Sequence, residues 1–439
     1  MTLAGLSLAY LKDRALNTTL NILLLTLSVA TLVILVLFSS QLSERFERDA
    51  RGIDLVVGAK GSPLQLILSS IYQVDVPTGN IPLATVELLR SDPTVAEVIP
   101  LALGDSFRGY RIVGTESAYI DHFGGAMAQG RVFTTDYEAV IGAQVARQTG
   151  AELGQKFVGS HGLTGDGHAH EETPYEVVGV LAPTGTVLDR LIVTPVGSIW
   201  AAHGFTPPTT DGASEDHDHD RDHDHDHDHD GHPDHEAHEH DDHHDAQADH
   251  AAHSDGGELE VTALLVKYRS SMAAVRLPSF INKQTQLQAA APAVEMTRLL
   301  SLLGVGIDAI RGFAILLMAT SGLSIFVALY SALRQREGDM AMLRVMGARP
   351  SAIFGHIILE GVLLAAAGAL IGVAVGHGVV AAAAATFPQL QDMGLTASRL
   401  EPAELIIVLA AIGMGGLAAL IPALKVFRVD IAKTLADTR

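Results

Sequence analysis

LNILLLTLSVATLVILVLF, residues 20–38, contains no charged side chain and is apolar at most positions. A helix needs about 20 such residues to cross the hydrocarbon core of a bilayer. Three further runs of this kind follow, at residues 312–333, 357–386 and 405–424, but only after a long, more polar stretch. The spacing predicts an α-helical membrane protein with four transmembrane helices and an α+β extracytoplasmic domain inserted between helices 1 and 2. The first run lacks a small-residue cleavage pattern and exceeds a signal-peptide core in length, so it is expected to stay as a helix.

Lysine and arginine in short flanks set the orientation. Lys12 and Arg14 precede the first span, and Arg334, Arg336, Arg344 and Arg349 lie between the second and third. Lys425, Arg428, Lys433 and Arg439 follow the fourth, whereas the link between spans three and four holds only Arg399. Both termini are therefore expected to be cytoplasmic, with the long insert outside. Ahead of the first span, Leu3, Leu6, Leu8, Tyr10, Leu11 and Ala15 fall on one side of a helix. That suits an interfacial amphipathic helix, or a plain extension of the span.

The third span is rich in small residues: Ala365, Ala366, Ala367, Gly368, Gly372 and Gly376. Small residues let helices approach closely in lipid, so this face reads as a dimer or bundle seam, or as a generic packed helix. His377 lies in the same span. An intramembrane histidine can mark a proton path, but no second ionisable residue lies one turn away along this helix. His356 and Glu360 sit near its cytoplasmic end and read as interfacial or subunit contacts.

Short apolar runs separated by Gly, Pro and Asp predict strands at residues 95–101, 110–114, 139–142, 175–181, 191–195 and 259–268. Helices fit residues 82–90, 143–149 and 272–284, and residues 284–310 read as one continuous helix leading into the second span. The net charge of −21 is local: residues 211–258 hold 19 acidic side chains against Arg221 alone, leaving about −3 for everything else. That segment alternates His and Asp and has almost no apolar residue, so it cannot bury a core and should be disordered without metal. There is no cysteine, and any metal must bind through His, Asp or Glu.

Imidazole suits zinc, copper and nickel, and neighbouring carboxylates add charge. The candidate ligands are His217, His219, His223, His225, His227, His229, His232, His235, His238, His240, His243, His244, His250 and His253. His161, His168 and His170 form a smaller candidate cluster with Glu171 and Glu172. The preferred metal is zinc, with copper or nickel next. A solvated acidic linker or a pH-sensitive tether are the plainer readings. No tightly bound cofactor is expected.

No GxxxxGK[ST] phosphate loop occurs. GAKGSP at residues 58–63 places Lys60 between glycines, but no helix pattern is read after it. No Ser/His/Asp or HExxH arrangement is present either, so the chain is not expected to be an enzyme. Glu337, Met340, Leu343 and Arg344 recur at helical spacing between spans two and three, Gly347 ends that helix, and Pro350 begins the next. Such a helix can seat its apolar face in a partner's groove, or lie on the membrane surface.

Five stretches carry a family resemblance. EAVIGAQVARQTGAELGQKF (residues 138–157), YEVVGVLAPTGTVLDRLIVTP (175–195) and DLVVGAKGSPLQLILSSIYQVDVPTGNIP (54–82) resemble the periplasmic core domain of MacB-type permeases. The second is similar to a hairpin of that domain. REGDMAMLRVMGARPSAI (336–353) resembles the family's cytoplasmic coupling segment, and PALKVFRVDIAKTLADTR (422–439) its C-terminal tail. Nearly the whole chain outside the His-rich insert resembles a MacB/FtsX-type ABC transporter permease, in a subgroup carrying a His-rich periplasmic loop.

The resemblance divides the chain into an amphipathic helix (1–18), transmembrane helix 1 (19–41), a MacB-like periplasmic domain (42–283) with the His-rich loop (211–258), and a helical stalk (284–309). Transmembrane helix 2 (310–334), a coupling segment (335–352), helix 3 (353–386), a short periplasmic loop (387–403), helix 4 (404–425) and a cytoplasmic tail (426–439) follow. It implies a bacterial inner membrane, a permease homodimer and two cytoplasmic ABC ATPase subunits carrying the ATP. It also implies mechanotransmission, meaning movement of the outer domain rather than passage of substrate between the helices. Membrane lipid and a periplasmic metal-binding or adaptor protein are further expected partners; nucleic acid is not. The leading expectation is a role in zinc or other transition-metal homeostasis. Export or extraction of lipid, lipoprotein, peptide or antibiotic is one alternative, and an FtsX-like scaffold regulating a periplasmic hydrolase is another. A membrane-anchored metal-binding protein without an ATPase is a third.

Overall fold

The computed structural model describes residues 15–161, 174–202, 259–335, 338, 342, 344–347, 349–387 and 395–428. Within them lie four helices long and apolar enough to span a bilayer: α1 (Ala15–Asp49), α8 (Pro292–Gln335), α9 (Pro350–Thr386) and α10 (Pro402–Lys425). The chain is a four-helix membrane protein with an α+β domain between the first helix and the rest. Helices α9 and α10 each begin with a proline, where the missing N–H costs nothing. Glu401 and Glu404 add a capping box to α10.

The inserted domain follows α1 through β1 (Leu55–Ala59), α2 (Pro63–Ser70), β2 (Ile81–Pro82), α3 (Ala84–Arg90), β3 (Val95–Phe107) and β4 (Tyr110–Thr115). It continues through α4 (Ser117–His122), β5 (Met127–Gly130), β6 (Glu138–Ile141), α5 (Ala143–Thr149), β7 (Lys156–Phe157) and β8 (Ser160–His161). Next come β9 (Tyr175–Leu181), β10 (Ile192–Pro195), α6 (Val196–Ala202), β11 (Glu260–Val261), β12 (Ala263–Tyr268), α7 (Ser271–Gln284) and β13 (Leu287–Ala290). The main sheet runs β13-β1-β12-β3-β4-β10-β6-β9-β5, with β7 on β9 and β8 on β3. Its pairs are antiparallel except β10 with β4 and β6 with β9.

Strand β3 joins two lobes. Its first half pairs with β12 and its second half with β4, and the register shifts between Leu103 and Ser106. One core packs β1, β12, α3 and α7 around Leu55, Val98, Leu264 and Leu277. Another packs β4, β6, β9 and α5 around Ile112, Ile141, Val145 and Val177. A third receives the domain-side ends of α1 and α8, with Phe46, Met296 and Leu299 packed into it.

Three expectations need correction. Residues 284–310 are not one helix: Gln284 ends α7, and β13 intervenes before α8. The break has a cause in Asn282, whose side chain accepts from the Ala289 amide at 2.7 Å and donates to the Ala289 carbonyl at 3.0 Å. This holds β13 extended against β1. Residues 175–195 are not a hairpin, because β6 lies between β9 and β10 in the sheet. A helix does follow GAKGSP: Ser62 caps α2 by accepting from the Gln65 amide at 3.4 Å. The amphipathic start and the C-terminal tail lie almost wholly outside the described residues.

Candidate functional site at the junction of membrane helices and inserted domain

The small residues of span three make a seam inside the chain. A β-carbon on Gly368, Gly372 or Gly376 would come within 3.0, 2.7 and 2.9 Å of Leu25, Val29 and Val33 on α1. The Thr26 hydroxyl donates across the same seam to the Gly368 carbonyl at 3.2 Å. On its other side α9 meets α10 backbone to backbone, where a β-carbon on Gly361 would lie 2.7 Å from the Gly415 carbonyl oxygen. Without a hydrophobic drive between helices in lipid, such close packing is what holds a bundle together. His356 and Glu360 are both buried on α9, so they are not simple interfacial groups.

Beyond the bilayer, α1 continues as a stalk and is bound to the domain. Asp49 at its end is fully buried; it accepts from the Val187 amide at 3.0 Å and lies 3.7 Å from Arg45. Tyr72 donates to the Phe46 carbonyl at 3.0 Å, and the two rings meet edge to face at 4.9 Å. Burial pushes the Tyr72 hydroxyl well above its ordinary pKa, so it stays a donor. Arg48 reaches the Gly185 carbonyl at 2.8 Å. Arg48 and Arg51 also line a polar cleft of about 640 Å³ with Glu97, Asp121, His122 and Lys267. Burial holds the His122 imidazole below its ordinary pKa.

The second stalk is tied in differently. Strand β13 pairs with β1 from Leu287↔Ala59 to Ala290↔Val56, and α8 starts two residues later. Met296 and Leu299 then pack on the core that also receives Phe46. The domain is thus joined to the membrane by two helices that run unbroken from its core into the bundle.

A third tie reaches the link between α9 and α10. The Gln41 carboxamide donates to the Thr396 carbonyl at 3.0 Å and accepts from the Thr396 amide at 2.8 Å. Glu44 pairs with Arg399 at 2.5 Å, and Ser40 donates to Glu401 at 3.2 Å. His377 on α9 contacts both the Ala397 carbonyl, at 2.7 Å, and Glu404 on α10, at 2.9 Å. The histidine that looked isolated along its own helix therefore has an ionisable neighbour, 27 residues away in sequence.

Of the coupling residues, Arg344 and Gly347 are described, while Glu337, Met340 and Leu343 lie outside the described residues. Gly347 takes a φ of 98°, and its amide bonds to the Arg344 carbonyl at 3.1 Å, so a turn falls there before Pro350 opens α9. The histidines from His217 to His253, with His168 and His170, also lie outside the described residues. His161 is placed in β8 opposite Asp105. Among the described residues no group of three or more His, Asp or Glu is arranged to hold a metal. The flanks of the insert meet: Trp200 on one side donates to the Glu260 carbonyl on the other at 2.6 Å. Trp200 and Leu259 also line an open cleft of about 940 Å³, together with Leu83, Arg90, Glu116 and Val196.

The fold and this junction define a class: a multi-pass membrane protein whose outer domain is carried on two membrane helices. Two family descriptions fit it. The MacB-like periplasmic core domain matches residues 18–216, and the FtsX-like permease C-terminal matches residues 311–431. The two matches together cover most of the chain and support a MacB/FtsX-type ABC transporter permease; permeases of this type work with an ATPase partner. No curated protein matches it. Among solved structures it is similar to the periplasmic region of MacB from Actinobacillus actinomycetemcomitans, at 12% identity and a TM-score of 0.31, covering 57% of this chain and 95% of that one. It is also similar to the extracellular domain of the noncanonic ABC-type transporter YknZ from Gram-positive bacteria, at 13% identity and a TM-score of 0.28, covering 54% of this chain and 98% of that one.

Proposed function

We propose that this chain transmits force from a cytoplasmic ABC ATPase to its periplasmic domain, in a complex of two permeases and two ATPases. The observation that carries the reading is the pair of unbroken helices, α1 and α8, each anchored in the domain core at one end and packed against the other membrane helices toward the other. A rigid helix passes displacement along its length with little loss, and here each ends on buried contacts rather than on a loop. Glu337, Met340, Leu343, Arg344 and Gly347 seat on the ATPase. The two copies meet along α8, where Leu302, Val305, Phe313, Leu316, Leu323 and Val327 form an exposed stripe at helical spacing. Both termini are cytoplasmic. ATP stays on the partner, and no chemical step occurs on this chain.

The His-rich loop binds zinc, with copper or nickel as weaker candidates, and links the permease to transition-metal homeostasis. The donor set supports this: it is all imidazole and carboxylate, in a chain without cysteine. The flanks joined by Trp200 and Glu260 give the loop a direct route to the domain. The test is ATP hydrolysis by the permease–ATPase complex in lipid, with and without zinc, comparing the intact chain with one lacking residues 211–257. Zinc dependence confined to the intact chain supports the reading. A response in both, or in neither, rejects metal control through this loop. Extraction of lipid, lipoprotein, peptide or antibiotic, or control of a periplasmic hydrolase, then becomes the function to test.

A further inference from the structure

His377 sits with both ring nitrogens against acceptors. Nδ1 is 2.7 Å from the Ala397 carbonyl oxygen, and Nε2 is 2.9 Å from Oε2 of Glu404. A carbonyl oxygen only accepts, and so does an ionised carboxylate, whereas a neutral imidazole has a single N–H to give. Satisfying both contacts takes one proton more than a neutral imidazole and a carboxylate carry together. An imidazolium facing a carboxylate and an imidazole facing a carboxylic acid have that same proton count. Only 16% of the His377 side chain and 6% of the Glu404 side chain are exposed, so water cannot readily substitute. The second oxygen of Glu404 is already committed, accepting from the Glu401 amide at 3.0 Å.

We propose that His377 and Glu404 form a proton-binding site at the domain-side mouth of the membrane bundle, and that the bound proton ties the α9–α10 link to α9. When the proton leaves, two acceptors face each other at one of the two contacts and repel. The one N–H that remains goes to the ionised carboxylate, the stronger acceptor, so the repulsion falls between Nδ1 and the Ala397 carbonyl; the link is released from α9 but kept on α1, because Gln41 holds Thr396 and Glu44 holds Arg399. Several described charged groups on the elements around the pair have partners of their own. Glu401 accepts from Ser40, Glu44 pairs with Arg399, and Asp308 and Arg311 on α8 pair with each other at 2.7 Å. The ligand is a proton from the aqueous phase on the domain side. The site stands on this geometry alone and does not depend on an ATPase.

The chain has no cysteine, so two introduced cysteines carry spin labels without background. Ala385→Cys with Leu400→Cys spans α9 and the link, and Glu47→Cys with Leu400→Cys spans α1 and the link. Distances are read in the full chain in lipid nanodiscs between about pH 5 and about pH 8, the range over which histidine ordinarily titrates. The first distance is expected to lengthen and broaden as pH rises, while the second stays constant. His377→Gln and Glu404→Gln are each expected to remove the pH dependence. Glu404→Gln keeps an oxygen for the Glu401 amide, so it serves if His377→Gln fails to fold. A wild-type distance that ignores pH, or a pH response that survives in either folded variant, overturns the proposal.

Discussion

The two helices that rise from the bilayer into the domain are covered very differently. Between Ser40 and Asp49, α1 is gripped by the α9–α10 link on one side and by Tyr72, Gly185 and Val187 on the other. Along residues 300–313, α8 is largely exposed, and β-carbons on Gly304, Gly306 and Gly312 would meet nothing within 4 Å. One stalk is fixed to its own chain through polar groups. The other offers an apolar face that only lipid or another protein can cover. The difference teaches that two helices anchored in one domain core can be covered in different ways: α1 is held by its own chain, and α8 keeps a face open for pairing.

The largest expected effect is at the end of the gripped stalk. Asp49→Ala strands the buried Val187 amide and should destabilise the chain by about 1–3 kcal/mol. Val305→Ala, its counterpart on the bare stalk, should stay within about 0.5 kcal/mol. Thermal unfolding of both variants in the same detergent compares them directly, and equal losses would erase the contrast. Next in size, Gln41→Ala removes the hydrogen bonds to Thr396 and should cost about 1 kcal/mol. Spin labels at Glu47 and Leu400 should then show a broader distance distribution, the link being held on α1 by Glu44 and Ser40 alone.

On α8 the expected change is in assembly rather than stability. Val305→Lys should leave unfolding unchanged but shift the chain toward monomer in light scattering, and an unaltered dimer would move the interface elsewhere. The smallest effect concerns pH. His122 is held below its ordinary value by burial, so the unfolded chain binds its proton more readily than the folded one. Stability from this group is full above the unfolded value, about 6.5, and is lost as pH falls through it. His122→Gln should flatten the unfolding temperature between neutral and mildly acidic pH, and an unchanged slope would assign that acid sensitivity to other groups.

Much of this architecture was legible in the chain itself. Four apolar runs of sufficient length specify four spans, because in lipid every backbone polar group must be satisfied within a helix. The strands at 175–181 and 192–195 and the helix at 143–149 follow from local periodicity and from Gly150, which takes the left-handed conformation that closes α5. The small residues of span three pointed to a seam, though not to its partner. The break at β13 was hidden, because the helix-compatible run after Gln284 is overridden by pairing with β1 and by the Asn282 side chain.

The sequence by itself determined the membrane plan, the α+β character of the domain, the absence of a phosphate loop and the concentration of histidine in one insert. These depend on composition and on neighbours a few residues apart. Only the tertiary structure decided that Gly368, Gly372 and Gly376 receive α1, that Gln41 clamps Thr396 from 355 residues away, and that His377 faces Glu404. Hydrogen bonds of that reach leave no periodic trace in the chain. They exist because helix packing brings separate elements within 3 Å, and the packing is set by which small residues allow the closest approach.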